Sequence, residues 1–278
     1  MIRWKKYNGA LIPDEPPHRS PAAEDLAAAR EMGGYRFISY TTDFDCPYET
    51  PWWYVIKDDP VILENIPSSN TRYKIKKGLR FVNVRQIDPL EYGDAMYECY
   101  ERAQSRYKAH EGHVSKEDFL RGLQEEGAEY YAAFFTENGR LVAYVKNVLF
   151  PQCVNMSVIK YDPEYLKYQV SAALTYTVLQ DYLNSGRCKY VLDGQRAIRH
   201  KTNIQEYLEQ YFGFRKAYCR LNLIYSPLMK VAVTVLYPFR RILEKMAGEQ
   251  ILLNNIVSVL KMEEIAKQCR KLSKDHPH

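Results

Sequence analysis

Two segments hold the residue types from which chemistry is made. The first is the run DGQRAIRHK, Asp193 to Lys201. A carboxylate, Asp193, and an imidazole, His200, bracket this loop. Either could accept a proton, and an imidazole titrates near neutral pH. Capping or bracing the loop is the other use open to both. Arg196, Arg199 and Lys201 could hold an anionic substrate. The second segment is Asn65 to Arg85, where Arg72, Lys74, Lys76, Lys77 and Arg80 fall within nine residues. Such a cluster suits phosphate binding, and it equally suits a solvated basic helix face. His110-Glu111-Gly112-His113 is a lone HxxH in a connector rich in His and Gly. The six cysteines form no CxxC pair. No metal site is therefore expected, and the cysteines read as free thiols of a reducing compartment.

Composition bounds the rest. The chain has 278 residues, 46% apolar and 26% charged, enough for one large or two small globular domains. Tyrosine is abundant, with 24 copies, which suits half-buried strands and pocket walls. Net charge is +5, and the segment from Pro227 onward holds nine Lys/Arg against five Asp/Glu, +4 of that total. The remaining body is close to neutral, so no extended nucleic-acid stripe is expected there. No apolar h-region follows Met1–Lys6, and no apolar run approaches the roughly 18 residues of a spanning helix. A cytoplasmic protein is expected, with peripheral contact at an inner membrane surface as an added option.

The elements that must position these residues follow from period and punctuation. Met1–Arg30 holds four prolines and little strand signal. It reads as a surface wrap with a short helix near Ala22–Arg30. Tyr35–Thr42 and Pro51–Ile56 read as strands, and so does Leu79–Val84. Pro89–Lys108 has helical period, and Ser115 caps a second helix with Asp118 at N3. Tyr130–Phe135, Leu141–Phe150 and Cys153–Lys160 form an antiparallel meander, its first turn a type I′ Asn138-Gly139. Leu166, Val170, Leu174, Val178 and Tyr182 then recur every four residues, a helix apolar over most of its girth and so largely buried. Gly186 ends it and the strand Lys189–Asp193 follows. Strand, helix and strand make a right-handed βαβ unit with parallel strands. Ligands of such sheets favour the strand carboxyl ends and helix N-termini, here Tyr161–Ala172 and Asp193–Lys201. Thr202-Asn203-Ile204-Gln205 fits a capping box for a helix with Ile204, Leu208, Tyr211 and Phe212 on its buried side. Phe214–Tyr225 alternates as a strand.

Three stretches now acquire a further meaning: Asn70–Gly78, the Gly186 turn with KYVLDG, and Glu206–Tyr218 with YFGFRKAY. Taken with the order helix pair, meander, βαβ, helix and strand, they resemble the GNAT acyltransferase fold, and in detail its FemAB-like branch. The resemblance covers roughly Thr71 to Pro227. It implies an α/β (α+β) fold with a mixed central sheet flanked by helices. It also implies transfer of an acyl group from a thioester or aminoacyl donor to an amine. The family's pyrophosphate-binding loop matches Lys167, Tyr168, Gln169, Val170, Ser171 and Ala172. Val170 stands where that motif has glycine, which hinders close backbone approach and points to an atypical donor. Asp193 and His200 are the candidate bases, and the family's tyrosine acid matches Tyr211 or Tyr218. Arg72, Lys74, Arg196 and Arg199 are candidate substrate-binding residues.

The reading is an N-acyltransferase of domains 1–70 (wrap), 71–227 (GNAT-like) and 228–278 (helical extension). It uses acyl-CoA, or a similar activated donor, as a co-substrate that is not tightly bound, and acts on a small polar or sugar-linked amine. A FemAB-like transferase using charged tRNA is the first alternative, and a non-catalytic GNAT-like scaffold the second. The C-terminal helices have spacing and basic edges that suit docking on the domain or in a homodimer, an anionic membrane surface, or another protein.

Overall fold

The computed structural model describes residues 1–105, 113–198, 203–248 and 250–275. Its elements begin with β1 (Trp4–Tyr7), β2 (Ala10–Pro13), α1 (Ala23–Glu31), β3 (Phe37–Thr42) and β4 (Trp52–Lys57). Then come α2 (Ser69–Phe81), β5 (Val82–Ile87), α3 (Gly93–Gln104) and α4 (Lys116–Gly122). The meander is β6 (Ala128–Phe135), β7 (Leu141–Leu149) and β8 (Cys153–Tyr161). The chain continues with α5 (Val170–Leu179), β9 (Tyr190–Gln195), α6 (Asn203–Phe212) and β10 (Arg215–Tyr225). It closes with α7 (Pro227–Leu236), α8 (Arg240–Met246) and α9 (Ile251–Asp275). The described residues fall into two compact units. The first gathers those of Met1–Val55, Gln195–Asn203 and Lys216–His278, and the second those of Ile56–Gly194 and Ile204–Arg215.

In the first unit the strands run β1-β2-β3-β10. β2 lies parallel to β3, and β10 runs antiparallel from Phe37↔Tyr225 to Thr42↔Arg220. The amino terminus therefore carries two strands where the sequence pattern suggested only a wrap. Asn8 and Gly9, both at positive φ, turn that hairpin. Trp52, Cys219 and Leu221 pack with Ile265, Ala266 and Cys269 of α9.

The second unit holds a mixed sheet, β5-β6-β7-β8 antiparallel and β9 parallel to β8. Successive β6 residues point to opposite faces. Tyr130 and Ala132 join Met96 and Cys99 of α3 in one core. Tyr131, on the other face, packs edge-on against Tyr182 and bonds Asp181. Arg187 binds Glu129 through both carboxylate oxygens and also pairs with Asp181. Those charges fix the turn from which β9 starts.

Three boundaries differ from expectation. α2 continues through Leu79 to Phe81, so the strand is Val82–Ile87, because the apolar and basic spacing of 71–80 keeps its helical period. α3 begins at Gly93, after a turn in which Leu90 N–H donates to Asp88. At Glu137–Arg140 only Gly139 has positive φ, and its N–H donates to the Phe135 carbonyl. The β6–β7 turn is thus longer than a type I′ pair, which needs two positive φ angles. The capping residue Thr202 lies outside the described residues.

Candidate functional site

The site begins where two parallel strands stop pairing. β8 and β9 register at Cys153↔Tyr190, Val154↔Val191 and Asn155↔Leu192, and no register pair follows. On its other edge β8 jumps from Met156 to Val158 against Asn147 and Lys146 of β7, so Ser157 is an extra, bulged residue. A bulge bends its strand and increases local twist. That is the physical reason for the ladder to end there. The fully buried Asn147 stands opposite Met156, and neither amide atom has a hydrogen-bond partner among the described residues. An unpaired buried amide is costly and marks a place where water or ligand belongs.

Asp193 is the first β9 residue past the last register pair. Its carboxyl is half-buried, and no hydrogen bond or ion pair reaches it among the described residues. Burial alone pushes its pKa from 3.8 up to about 7. Desolvation with no compensating charge disfavours the anion. The Asp193 main-chain carbonyl accepts from Gln205 Nε2 on α6 at 3.1 Å, which ties α6 to the end of β9.

The same helix reaches the start of α5. Tyr207, one turn after Asn203, faces Ser171 in the first turn of α5, and burial raises its pKa to about 12. Before α5 the chain makes a tight turn over Pro163–Tyr168, capped by Asp162, whose carboxylate accepts from Glu164 N–H and pairs with Arg102 at 2.5 Å. Gln169 then adopts the left-handed conformation (φ 62°, ψ 35°), and its carbonyl accepts from Ala172 and Ala173. Tyr168 packs on Phe81 and Phe135, with Lys167 over its ring. Val170 and Ala172 are buried. The 167–172 segment is thus anchored by its aromatic and apolar side chains, with Lys167 exposed and Gln169 and Ser171 half-buried. On the flank, Lys74 of α2 lies 4.4 Å from the centre of the Tyr211 ring of α6.

The other candidates fall elsewhere. Arg72 spends its guanidinium on the Ile66 and Pro67 carbonyls, bracing the loop into α2. Arg196 lies in the first unit, stacked on Trp53 and donating to the Pro51 carbonyl. Tyr218, also in that unit, sets its ring edge-on to Trp53, and Lys216 lies over the same indole. Both arginines are engaged with main-chain carbonyls, a use that residue type and spacing do not reveal. Arg199, His200 and Lys201 lie outside the described residues, as does His110. His113 bonds Glu101 at 2.8 Å. Among the described residues no cluster of His, Cys, Asp or Glu could hold a metal ion.

Tyr207 went unseen in the sequence, where Gln205 figured only as part of a capping box. Both lie on the flanks of the apolar stripe of α6, and Tyr207 is three residues after Ile204 and four before Tyr211. That spacing was the available signal. Together the second unit brings to one end of its parallel strands a carboxyl poised near pH 7, a protonated phenol, and the start of a buried helix. Such a set can take a proton from an amine and give one to a leaving group.

No family model and no curated protein matches the chain. Solved structures do. L-PGS from Bacillus licheniformis superposes with TM-score 0.52 at 12% identity, over 96% of this chain and 86% of that one. The C-terminal domain (DUF2156) assigned to a lysylphosphatidylglycerol synthetase of Agrobacterium fabrum gives 0.51 at 12% identity, over 84% and 85%. FemX gives 0.52 at 9% identity, over 69% and 73%. The fold is accordingly of the GNAT type, a mixed sheet flanked by helices, similar to that of these three structures.

Proposed function

We propose that this chain is an N-acyltransferase that moves an acyl group from an activated donor to an amine on a small polar or sugar-linked acceptor. The observation that carries this reading is Asp193, a half-buried carboxyl with no partner among the described residues, held just beyond the last β8–β9 pair. A carboxylate of pKa about 7 is matched to accept the proton of an attacking amine at neutral pH. The amine nitrogen bonds to the donor carbonyl carbon, and the carbonyl electrons form an oxyanion. Asp193 takes the amine proton. As the oxyanion collapses, the donor's sulfur or oxygen leaves and receives a proton from Tyr207. The amides at the start of α5 and the positive end of that helix favour negative charge on the donor.

Acyl-CoA is the donor the family motif implies at 167–172. A second reading, an aminoacyl ester carried by tRNA, is favoured by one observation: Val170 fills a core position where an open glycine loop would cradle pyrophosphate. Lys76, Lys77 and Arg80 on α2 could meet such a polyanion. Likeness to a protein named lysylphosphatidylglycerol synthetase fits the same reading. Calorimetric titration with acetyl-CoA and longer acyl-CoAs, beside filter binding of charged tRNA at rising salt, tests the two. Acyl-CoA binding supports the first donor. Salt-sensitive tRNA binding alone supports the second. Silence for all of them contradicts the transferase reading.

A further inference from the structure

The C-terminal helices carry a feature that the transfer chemistry does not use. From Leu228 to Met246 the chain is helical, through α7, a tight turn at Tyr237–Phe239, and α8. Leu228, Val231, Val235, Phe239, Ile242 and Met246 recur every three or four residues, and they are all between 54% and 83% exposed. That spacing lines them up as one stripe. A different side of the same helices holds the packed residues Val233 and Ala247. Ile251 and Leu252, straight after the turn into α9, add two more exposed large apolar side chains. Exposed apolar surface of this extent marks an interaction face.

The charges on the same helices identify its partner. Glu244 and Glu264 are neutralised within the unit by Lys261 and Arg240. Lys230, Arg241 and Lys245 are exposed, and no acidic group pairs with any of them among the described residues. What remains outward on these helices is the apolar stripe together with three exposed cations that have no acidic partner among the described residues. A second copy of this chain would meet the stripe with the same uncompensated cations, which repel. A surface of anionic lipid headgroups over an apolar interior complements both parts at once. Among the described residues no helix is long and apolar enough to cross a membrane, so the helices would lie along the surface.

We propose that the α7–α8 face seats this protein on anionic membrane, with the stripe from Leu228 to Met246 in the headgroup boundary and Lys230, Arg241 and Lys245 on the phosphates. The proposal does not depend on the donor or acceptor of the transfer reaction. Co-sedimentation of the full chain tests it, using vesicles of phosphatidylcholine alone and vesicles with about one third phosphatidylglycerol. The expected result is pelleting with the anionic vesicles only, weakened by salt. The triple variant Lys230→Gln, Arg241→Gln, Lys245→Gln should bind about a hundredfold less tightly, each cation near the surface being worth about a factor of five. Val231→Ser, Phe239→Ser, Ile242→Ser should lose binding at least tenfold. Because all six positions are solvent-facing, circular dichroism and melting should match the parent. A chain that stays in the supernatant with both vesicle types overturns the proposal. So does light scattering that shows a dimer which the serine variant returns to monomer while vesicle binding is absent.

Discussion

Gly78 on α2 stands directly against the Gln169 carbonyl at the start of α5. A Cβ at Gly78 would lie 2.5 Å from that oxygen and 2.9 Å from the Ala173 Cβ. The close approach of these helices sets where α5 begins, and with it Ser171. Gly78→Ala should therefore cost about 1–3 kcal/mol, the usual range for overpacking. Urea unfolding measures it. Lys76→Ala, two residues away and exposed, should stay within about 0.5 kcal/mol of the parent.

Asp193 makes stability fall with pH. Its folded pKa of about 7 lies above the 3.8 of the unfolded chain, so between those values the folded state holds the extra proton. Stability is complete below about pH 4 and is lost as pH rises through 7. Asp193→Asn removes the charged form. The variant should match the parent near pH 4 and exceed it by about 1–2 kcal/mol at pH 8, a range discounted for partial exposure. Denaturant midpoints across that range check the sign.

Arg102 holds a carboxylate that has nowhere else to go. Asp162 is 1% exposed, pairs with Arg102, and caps the turn that leads into Gln169. Arg102→Met keeps the aliphatic stem and strands the charge. The expected loss is about 2–4 kcal/mol at pH 7, because breaking a buried pair costs more than the pair contributes. Replacing Arg121, whose partners Glu117 and Asp118 are exposed, should cost no more than about 1 kcal/mol.

Tyr207 is expected to act on the leaving group. Tyr207→Phe removes the hydroxyl that faces Ser171 while leaving the ring in place. The turnover number should fall about 10–100-fold with KM nearly unchanged, whereas Tyr211→Phe should keep most activity. A fall in both constants together with a lower melting temperature would instead mark Tyr207 as packing.

The order of elements from α2 to β10 was legible because each one shows its own period or punctuation. The helix from Val170 is apolar nearly all round, and Gly186 closes the turn after it. Local chemistry misled in two places. Asn138-Gly139 looked like the tight hairpin turn, yet the pair with both φ angles positive is Asn8-Gly9, in a stretch set aside for its prolines. Dipeptide chemistry states what a turn permits, and the flanking strands decide whether it is used. The site was half legible. Asp193 stood out as a carboxylate at a strand end. Its lack of a partner among the described residues could not be read, since that depends on the β8 bulge at Ser157 and on where the ladder ends. Arg72 and Arg196 looked like anion ligands because sequence records a charge and not the carbonyls that occupy it.

The pH dependence of acyl transfer, compared between the parent and Asp193→Asn, tests the central claim most directly. With whichever donor binds, kcat/KM of the parent should rise with pH and reach half its plateau near pH 7, the value that burial gives Asp193. Asp193→Asn should bind donor as tightly, transfer about 10²–10⁴-fold more slowly, and lose that inflection. Transfer by the asparagine variant at the parent's rate, with the inflection intact, would contradict the account.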